Sequence, residues 1–334
     1  MPIGEAGHLP NNRRILVLGA SGFIGRRVLQ MLAASDWASP VGASRRAVTG
    51  PSRGVEMLQL DATQPAALKL ALRDVAGVVN CVAGESKDIV DGARALFDVA
   101  SRMAPAPRIV HLSTMMVYGT AVGVVDESAP LKGDWDDYSA AKAEAERLSR
   151  SYGSVVNLRP GIVYGPDSPI WSGWVGQWLR QRRLGNLGAA GLGYCNLVHV
   201  DDVVEAVSRA LRLPGIEGQA FNLSLSAAIT WNDYFCQYAQ ALGVAAARIS
   251  HTRLMMEQYL FAPPLKIAEL AARFVPVDPP QAIRPWFLRL CGHALRLDAR
   301  KAERDLGLQW LPLELGLRQS AAWLLARGAS RHAS

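Results

Sequence analysis

The stretch from Arg13 to Leu32, RRILVLGASGFIGRRVLQML, constrains the fold of this chain more than any other, because three local signals follow one another without a gap. Ile15, Leu16, Val17 and Leu18 form an uninterrupted apolar run, the pattern of a strand covered on both faces. Gly19, Gly22 and Gly25 then punctuate a turn that leads into an amphipathic helix. Each glycine answers a different steric demand. Gly19 can take backbone angles closed to other residues, Gly22 lets a pyrophosphate approach the main chain, and Gly25 lets the helix lie close to the sheet. The free amides of the helix start, with Ser21, Phe23 and Ile24 around the turn, then face an anion. The spacing is G-x-x-G-x-x-G and not the commoner G-x-G-x-x-G, so the turn alone fits either a phosphate cradle or an ordinary strand, turn and helix.

The helix should end near Ser35, and Val41 to Ala43 reads as a second strand. Its end is where a dinucleotide fold meets the adenosine ribose. Selection of NAD calls for a carboxylate there, yet the chain offers Ser44, Arg45 and Arg46, with no acid between Asp36 and Glu56. Two guanidinium groups suit a 2′-phosphate, so this segment predicts NADP in preference to NAD, with a solvated basic loop as the alternative. Val55 to Leu60 reads as the third strand, followed by Asp61 and Ala62, and Asp61 is a candidate partner for the adenine amino group. Val78 to Val82 is the fourth, where Val82, Ala83 and Gly84 allow close approach of a cofactor. A helix over 86–104 and a fifth strand over 109–112 continue the alternation. Repeated strand and helix units of this length predict a parallel sheet with right-handed crossovers, covered on both faces.

The fifth strand runs into LSTMMVYG, and DDYSAAKAEAERL opens a helix that Asp136 or Asp137 can cap. Tyr138 and Lys142 are four residues apart, so both lie on one helical face. A nearby ammonium favours the phenolate of a tyrosine and makes it a better proton acceptor. A lone Y-x-x-x-K is also common as a surface pair.

Together these elements resemble the extended short-chain dehydrogenases and reductases, which include nucleotide-sugar epimerases and dehydratases. The resemblance runs from about Arg14 to Leu324. Gly19, Gly22 and Gly25 match the family's cofactor loop, Thr114 its serine or threonine position, and Tyr138 and Lys142 its catalytic pair. Arg159-Pro160, Val163-Tyr164-Gly165-Pro166 and His199-Val200-Asp201-Asp202-Val203 match two later signatures. The resemblance implies hydride transfer at a carbon bearing a hydroxyl. Tyr138 would exchange the hydroxyl proton, Thr114 would hydrogen-bond the oxygen, and Lys142 would hold the nicotinamide ribose, with Pro160 also beside the cofactor. One departure bears on substrate: Cys195 stands where nucleotide-sugar members usually carry an arginine for the diphosphate. Arg180, Arg182, Arg183 and Arg284 could supply that charge from elsewhere.

From about Asp167 the chain leaves the sheet pattern. Trp171, Trp174 and Trp178 share a helical face that serves either lobe packing or an apolar substrate wall, with Met115, Met116 and Trp135 as further candidates for the wall. His199, Asp201 and Asp202 lack the spacing of metal ligands, so a structural role in capping a helix and joining the lobes is expected, and no metal site. Thr230 should cap a helix to Leu242, and the last helix should end near Leu325. The proline-rich apolar stretch 245–291 could serve core packing, a substrate channel, a membrane surface or a dimer seam.

The 36 Lys and Arg against 29 Asp and Glu give a formal charge of +7, scattered along the chain and without a nucleic-acid module. The four cysteines are far apart, and the sequence shows no secretory signal or apolar run of membrane-spanning length, so a cytoplasmic enzyme is expected. The expected architecture is α/β, a Rossmann-type doubly wound parallel sheet with a smaller mixed C-terminal substrate lobe. Its divisions are 13–166 and 195–224 for the nucleotide-binding core, 167–194 and 225–325 for the lobe, and 326–334 as a flexible tail. The expected activity is an NADP-dependent oxidoreductase interconverting hydroxyl and ketone on a small, partly apolar molecule. The alternatives are a nucleotide-sugar epimerase or dehydratase and a non-catalytic NADP-binding regulator. The helices over 87–104 and 138–151 are candidates for a homodimer seam.

Overall fold

The computed structural model describes residues 13–47, 54–257 and 282–332. Seven parallel strands make one sheet: β1 (Arg13–Leu18), β2 (Ala38–Ser44), β3 (Glu56–Gln59), β4 (Gly77–Asn80), β5 (Arg108–Leu112), β6 (Val155–Pro160) and β7 (Ala220–Leu223). Their order across the sheet is β7, β6, β5, β4, β1, β2, β3. The direction of winding reverses between β1 and β4, and a crevice outside their carboxyl ends is the place where such sheets bind ligands. β4 stops at Asn80, two residues before the expected end at Val82, because the Asn80 side chain accepts the Val82 amide at 3.1 Å.

Alternation along β1 explains the layering. Ile15 and Val17 face one side of the sheet, against Val28, Leu29 and Leu32 of α1 (Phe23–Ala34). Leu16 and Leu18 face the other, in one cluster with Leu68 of α2 (Pro65–Ala71), Leu96 and Phe97 of α3 (Ser86–Ala100) and Ala141 and Ala145 of α4 (Asp137–Ser149). A strand buried on both faces must be apolar at every position, which is why Ile15 to Leu18 shows no polar alternation.

The smaller lobe has its own core. Trp178 of α5 (Val175–Arg180), Trp231, Tyr234 and Phe235 of α7 (Trp231–Ala241) and Phe287 of α8 (Pro285–Cys291) interlock, with Trp178 and Phe287 ring centroids 5.3 Å apart. Between the two lobe stretches, α6 (Val200–Arg212) returns to the sheet and packs Val203, Val207 and Leu211 on the α1 side. His199 caps this helix by accepting the Asp201 amide at 3.3 Å, and the Asp202 carboxylate accepts the Leu311 amide at 3.1 Å. These are the capping and joining roles expected of them. Thr230 caps α7 in a reciprocal box with Asp233. After α9 (Arg300–Asp305), the last helix, α10 (Leu313–His332), continues past its expected end at Leu325. Leu317, Ala321 and Leu324 make one buried stripe, and Arg327 lies 5.2 Å from the Trp323 ring centroid, so the turn beyond Leu325 has a side-chain anchor. Pro263, Pro264, Pro276, Pro279 and Pro280, and the apolar residues Tyr259 to Leu270, lie outside the described residues.

Candidate active site

The glycine turn is built as its steric demands require. Gly19 has a φ of +74°, and a Cβ there would stand 2.7 Å from the Cys81 carbonyl oxygen at the end of β4. A Cβ on Gly25 would stand 2.3 Å from the Gly19 oxygen, so only glycine lets α1 close onto the turn. Gly22 is the cap residue of α1 and supplies no side-chain acceptor, and the first turn of the helix holds no acid. The leading amides are therefore left for an anion, favoured further by the helix dipole.

Above this turn opens a cavity of about 480 Å³ at the carboxyl ends of β1, β2 and β4. Of the residues singled out from sequence, Gly19, Ser21, Gly22, Asp61, Ala62, Val82, Ala83, Arg45 and Arg46 line it. Gly25 lies beneath the turn, and Gly84 stands at the mouth beside Arg45. Phe23 and Ile24 pack toward the sheet core, and Pro160 is buried in β6, so these three are not part of the cavity lining. Asp61 is turned to the Thr63 amide and hydroxyl, at 3.0 and 2.8 Å, which hold its carboxyl below the usual range. Sequence reasoning missed Arg26, Thr63, Cys81 and Asp88, which also line the space. Asp88 carries no local motif; its role emerges only because α3 starts beside the end of β2. The cradle and cavity fit a dinucleotide: bare amides meet the phosphates, and small residues border the ring positions.

Thr114 and Tyr138 are hydrogen-bonded to one another, and Lys142, one turn further along the helix from Tyr138, reaches the cavity wall at Val82. Thr114 follows β5 and accepts the Met116 amide at 3.2 Å, which fixes its hydroxyl at the start of a short helical turn. Tyr138 is in the first turn of α4, whose Asp136 cap accepts the Ser139 amide at 2.8 Å. Burial pushes the Tyr138 phenol up to about 12, partly offset by its hydrogen bond with Thr114. Lys142 shares that face, but its ammonium donates to the main-chain oxygens of Val82 at 3.0 Å and Leu112 at 2.9 Å. Burial lowers Lys142 to about 8. The spacing thus places the pair on one face as expected, while the lysine is directed to the cofactor wall and the phenol keeps its proton at neutral pH.

Behind Thr114 lies a buried network centred on Arg159 of the Arg159-Pro160 motif, whose partner Glu146 no motif indicated. Ser113 donates to Glu146 of α4, and Arg159 forks onto the same carboxylate with Nε 2.9 Å from Oε1. Arg159 also donates to the Tyr118 hydroxyl at 2.7 Å, which in turn bonds Asn222 on β7. Glu146 lies one turn beyond Lys142 on the buried side of α4, and a carboxylate at such a position was its sequence signal.

On the lobe side, Trp171 and Trp178 join the aromatic core, with Trp174 packed at its edge. Met115 is buried and Met116 packs beside it. Trp135 is held between the Arg289 guanidinium, 3.9 Å from its ring centroid, and the His293 ring at 4.5 Å. Cys195 is buried and its thiol is pushed far up by desolvation. Of the arginines considered in its place, Arg183 is engaged by Glu257 at 2.6 Å. Among the described residues, no cluster of three or more His, Cys, Asp or Glu side chains is arranged to hold a metal, and no helix is long and apolar enough to cross a membrane.

A Rossmann sheet with a glycine cradle at its switch point and a threonine, tyrosine and lysine set beside it defines an enzyme of the extended short-chain dehydrogenase/reductase type. A model described as the NAD dependent epimerase/dehydratase family matches residues 15–224, and the chain belongs to that family. A curated relative from Stigmatella aurantiaca, 4-hydroxy-2-methyl-3-oxo-4-farnesyl-3,4-dihydroquinoline-1-oxide ketoreductase, is 26% identical over 88% of this chain and 91% of its own. Among solved structures, UDP-glucose 4-epimerase of Thermotoga maritima with UDP-glucose superposes with a TM-score of 0.72 at 19% identity, over 94% of this chain and 99% of that one. UDP-glucuronic acid 4-epimerase of Bacillus cereus, with UDP-glucuronic acid and NAD, gives 0.69 at 19% identity over the same shares.

These findings correct two expectations. The dinucleotide held in several solved structures that superpose on this chain, among them UDP-glucuronic acid 4-epimerase of Bacillus cereus, is NAD, which overturns the expectation of NADP. In the pocket, Arg45, one of the two guanidinium groups assigned to a 2′-phosphate, is not free but ion-paired with Asp88. The expectation of a hydroxyl–ketone oxidoreductase for a partly apolar small molecule is likewise overturned in favour of its epimerase and dehydratase alternative. Of the two roles open to the tryptophan face, lobe packing is the one observed. Trp178 is buried in the lobe core, and Trp171 packs there against Trp231 and Phe287.

Proposed function

We propose that this protein is an NAD-dependent epimerase or dehydratase acting on a nucleotide sugar. The observation that carries the reading is the bond from Lys142 to the Val82 oxygen, which joins the wall of the dinucleotide cavity to the helix bearing Tyr138. The cofactor cradle and the acid–base pair therefore share one structural support. The family match spans both. The substrate class rests on the relatives that hold UDP-glucose and UDP-glucuronic acid.

In this reading Gly19, Gly22 and the first amides of α1 hold the pyrophosphate, while Val82, Ala83 and Gly84 border the cavity near its nicotinamide end. When bound, the nicotinamide supplies hydride chemistry at a sugar carbon. Tyr138 exchanges the proton of the hydroxyl on that carbon, Thr114 hydrogen-bonds the same oxygen, and Lys142 orients the ribose and holds positive charge beside the reacting groups. Hydride taken from the sugar would be returned to it within one cycle, to the same carbon in an epimerase and to a neighbouring part of the sugar in a dehydratase, so no net redox change would accumulate. Arg289, stacked over Trp135, which lies three residues before Tyr138, supplies cationic charge on the lobe side that Cys195 does not. The reading assigns 13–166 and 195–224 to the cofactor and 167–194 and 225–325 to the substrate.

The test is incubation of the purified protein with NAD and a panel of UDP- and dTDP-sugars, with products separated by chromatography and reduced cofactor followed by absorbance. Conversion of a nucleotide sugar without stoichiometric accumulation of NADH is the expected result. Failure to convert any member of the panel, with stoichiometric NADH formed from an alcohol that carries no nucleotide, would sink the proposal.

A further inference from the structure

The end of β2 presents Arg45 and Arg46 and no acid, a charge pattern that by itself fits a 2′-phosphate. The structure brings the missing carboxylate from another element. Asp88 stands in the first turn of α3, where the helix dipole favours a negative charge, and it is ion-paired with the guanidinium of Arg45. Both residues line the dinucleotide cavity. In this pairing the Arg45 Nη2 lies 3.9 Å from the place a Cβ on Gly84 would occupy. The neighbouring cation, Lys87, is engaged by Asp91 at 2.9 Å. Asp61, the other acid in the lining, is turned to Thr63. Arg46 forms no ion pair among the described residues.

We propose that Asp88 is a specificity-determining residue for the dinucleotide: it neutralises Arg45 and sets a carboxylate at the adenosine end of the cavity, which favours NAD over NADP. A 2′-phosphate entering here must compete with Asp88 for Arg45 and approach a second anion, whereas ribose hydroxyls meet neither obstacle. The inference rests on the reading of NAD as cofactor. Relief of the pairing exposes two free guanidinium groups, the arrangement that recognises a phosphate.

Calorimetric titration of NAD and NADP onto the purified protein tests this without any turnover measurement. The wild-type protein should bind NAD more tightly than NADP. Asp88→Asn should tighten NADP by about tenfold, equivalent to roughly 1.4 kcal/mol, with little change for NAD. Arg45→Gln combined with Asp88→Asn should lose that gain, and Asp88→Ser provides a second substitution should the asparagine variant fold poorly. An NADP-to-NAD affinity ratio in both Asp88 variants that stays at the wild-type value overturns the proposal. Failure of the wild-type protein to bind NAD overturns the cofactor reading itself, and the two failures are distinguished by which protein shows them.

Discussion

The Lys142 ammonium and the Val82 carbonyl oxygen are 3.0 Å apart, which fastens the helix bearing Tyr138 to the strand end that walls the dinucleotide cavity. A second bond to Leu112 at 2.9 Å closes the bridge between the ends of β4 and β5. A cation is thus held in place by neutral acceptors, and burial dominates its titration.

That environment gives dinucleotide binding a direction in pH. With Lys142 lowered to about 8, the ammonium is present at neutral pH and is lost as pH rises through that value. Affinity for NAD is expected to weaken through this window, since a positive charge beside the ribose and pyrophosphate disappears. Lys142→Met should bind NAD weakly at every pH and lack the transition. Titrations across the window check the point, and equal wild-type affinity on both sides of it would contradict the role assigned to the ammonium.

Tyr138→Phe keeps the ring that packs against α3 and removes only the hydroxyl. Turnover is expected to fall by about 10²–10⁴, the scale of lost general acid–base catalysis, while NAD affinity changes little. Steady-state rates and calorimetry on the same preparation separate the two quantities. Retention of near wild-type turnover would remove Tyr138 from the proton-transfer step.

The sheet was legible in the sequence because each buried parallel strand requires a run such as Ile15 to Leu18 or Val78 and Val79, with a helical interval between runs. The glycine cradle was legible for the same local reason. The Arg45–Asp88 pair was not, since its members are far apart in the chain and meet only when α3 packs beside β2; counting charge at the end of β2 alone therefore gave the wrong dinucleotide. The tryptophans show a similar limit. Helical spacing placed Trp171 and Trp178 on one side, but periodicity does not distinguish a wall facing substrate from one facing Phe287. The orientation of Lys142 toward two carbonyls also depends on the strand ends beneath α4, which its spacing from Tyr138 does not describe.

The Glu146–Arg159 pair behind Thr114 should behave as a unit. Both side chains are almost fully buried, at 2% and 4% exposure. Glu146→Leu or Arg159→Leu leaves the other charge without its partner and is expected to cost about 3–5 kcal/mol of stability. The double substitution should cost less than the sum, because it strands neither charge. Denaturant unfolding of the four proteins gives the coupling energy directly, and strict additivity would show that the pair contributes no mutual stabilisation.

Asp202 gives stability a pH dependence of the opposite kind from a salt-bridged acid. Burial raises its carboxyl from 3.8 to about 6, only partly countered by the amides of Leu311 and His199. The folded state therefore holds this proton more tightly than the unfolded chain does. Its contribution favours folding in acid and is lost as pH rises from about 3.8 through about 6, leaving a buried charged group that has no cationic partner among the described residues at neutral pH. Asp202→Asn keeps an oxygen for the Leu311 amide and removes the charge, so it should equal or exceed wild-type stability at neutral pH. The difference between the two proteins should move in the wild type's favour on acidification through that window. Asp202→Ala, in contrast, strips the Leu311 amide of its acceptor and should destabilise by about 1–3 kcal/mol. Denaturation midpoints of the three proteins as a function of pH check the sequence of effects, and a wild-type to asparagine difference that is constant across the window would show that Asp202 does not titrate there.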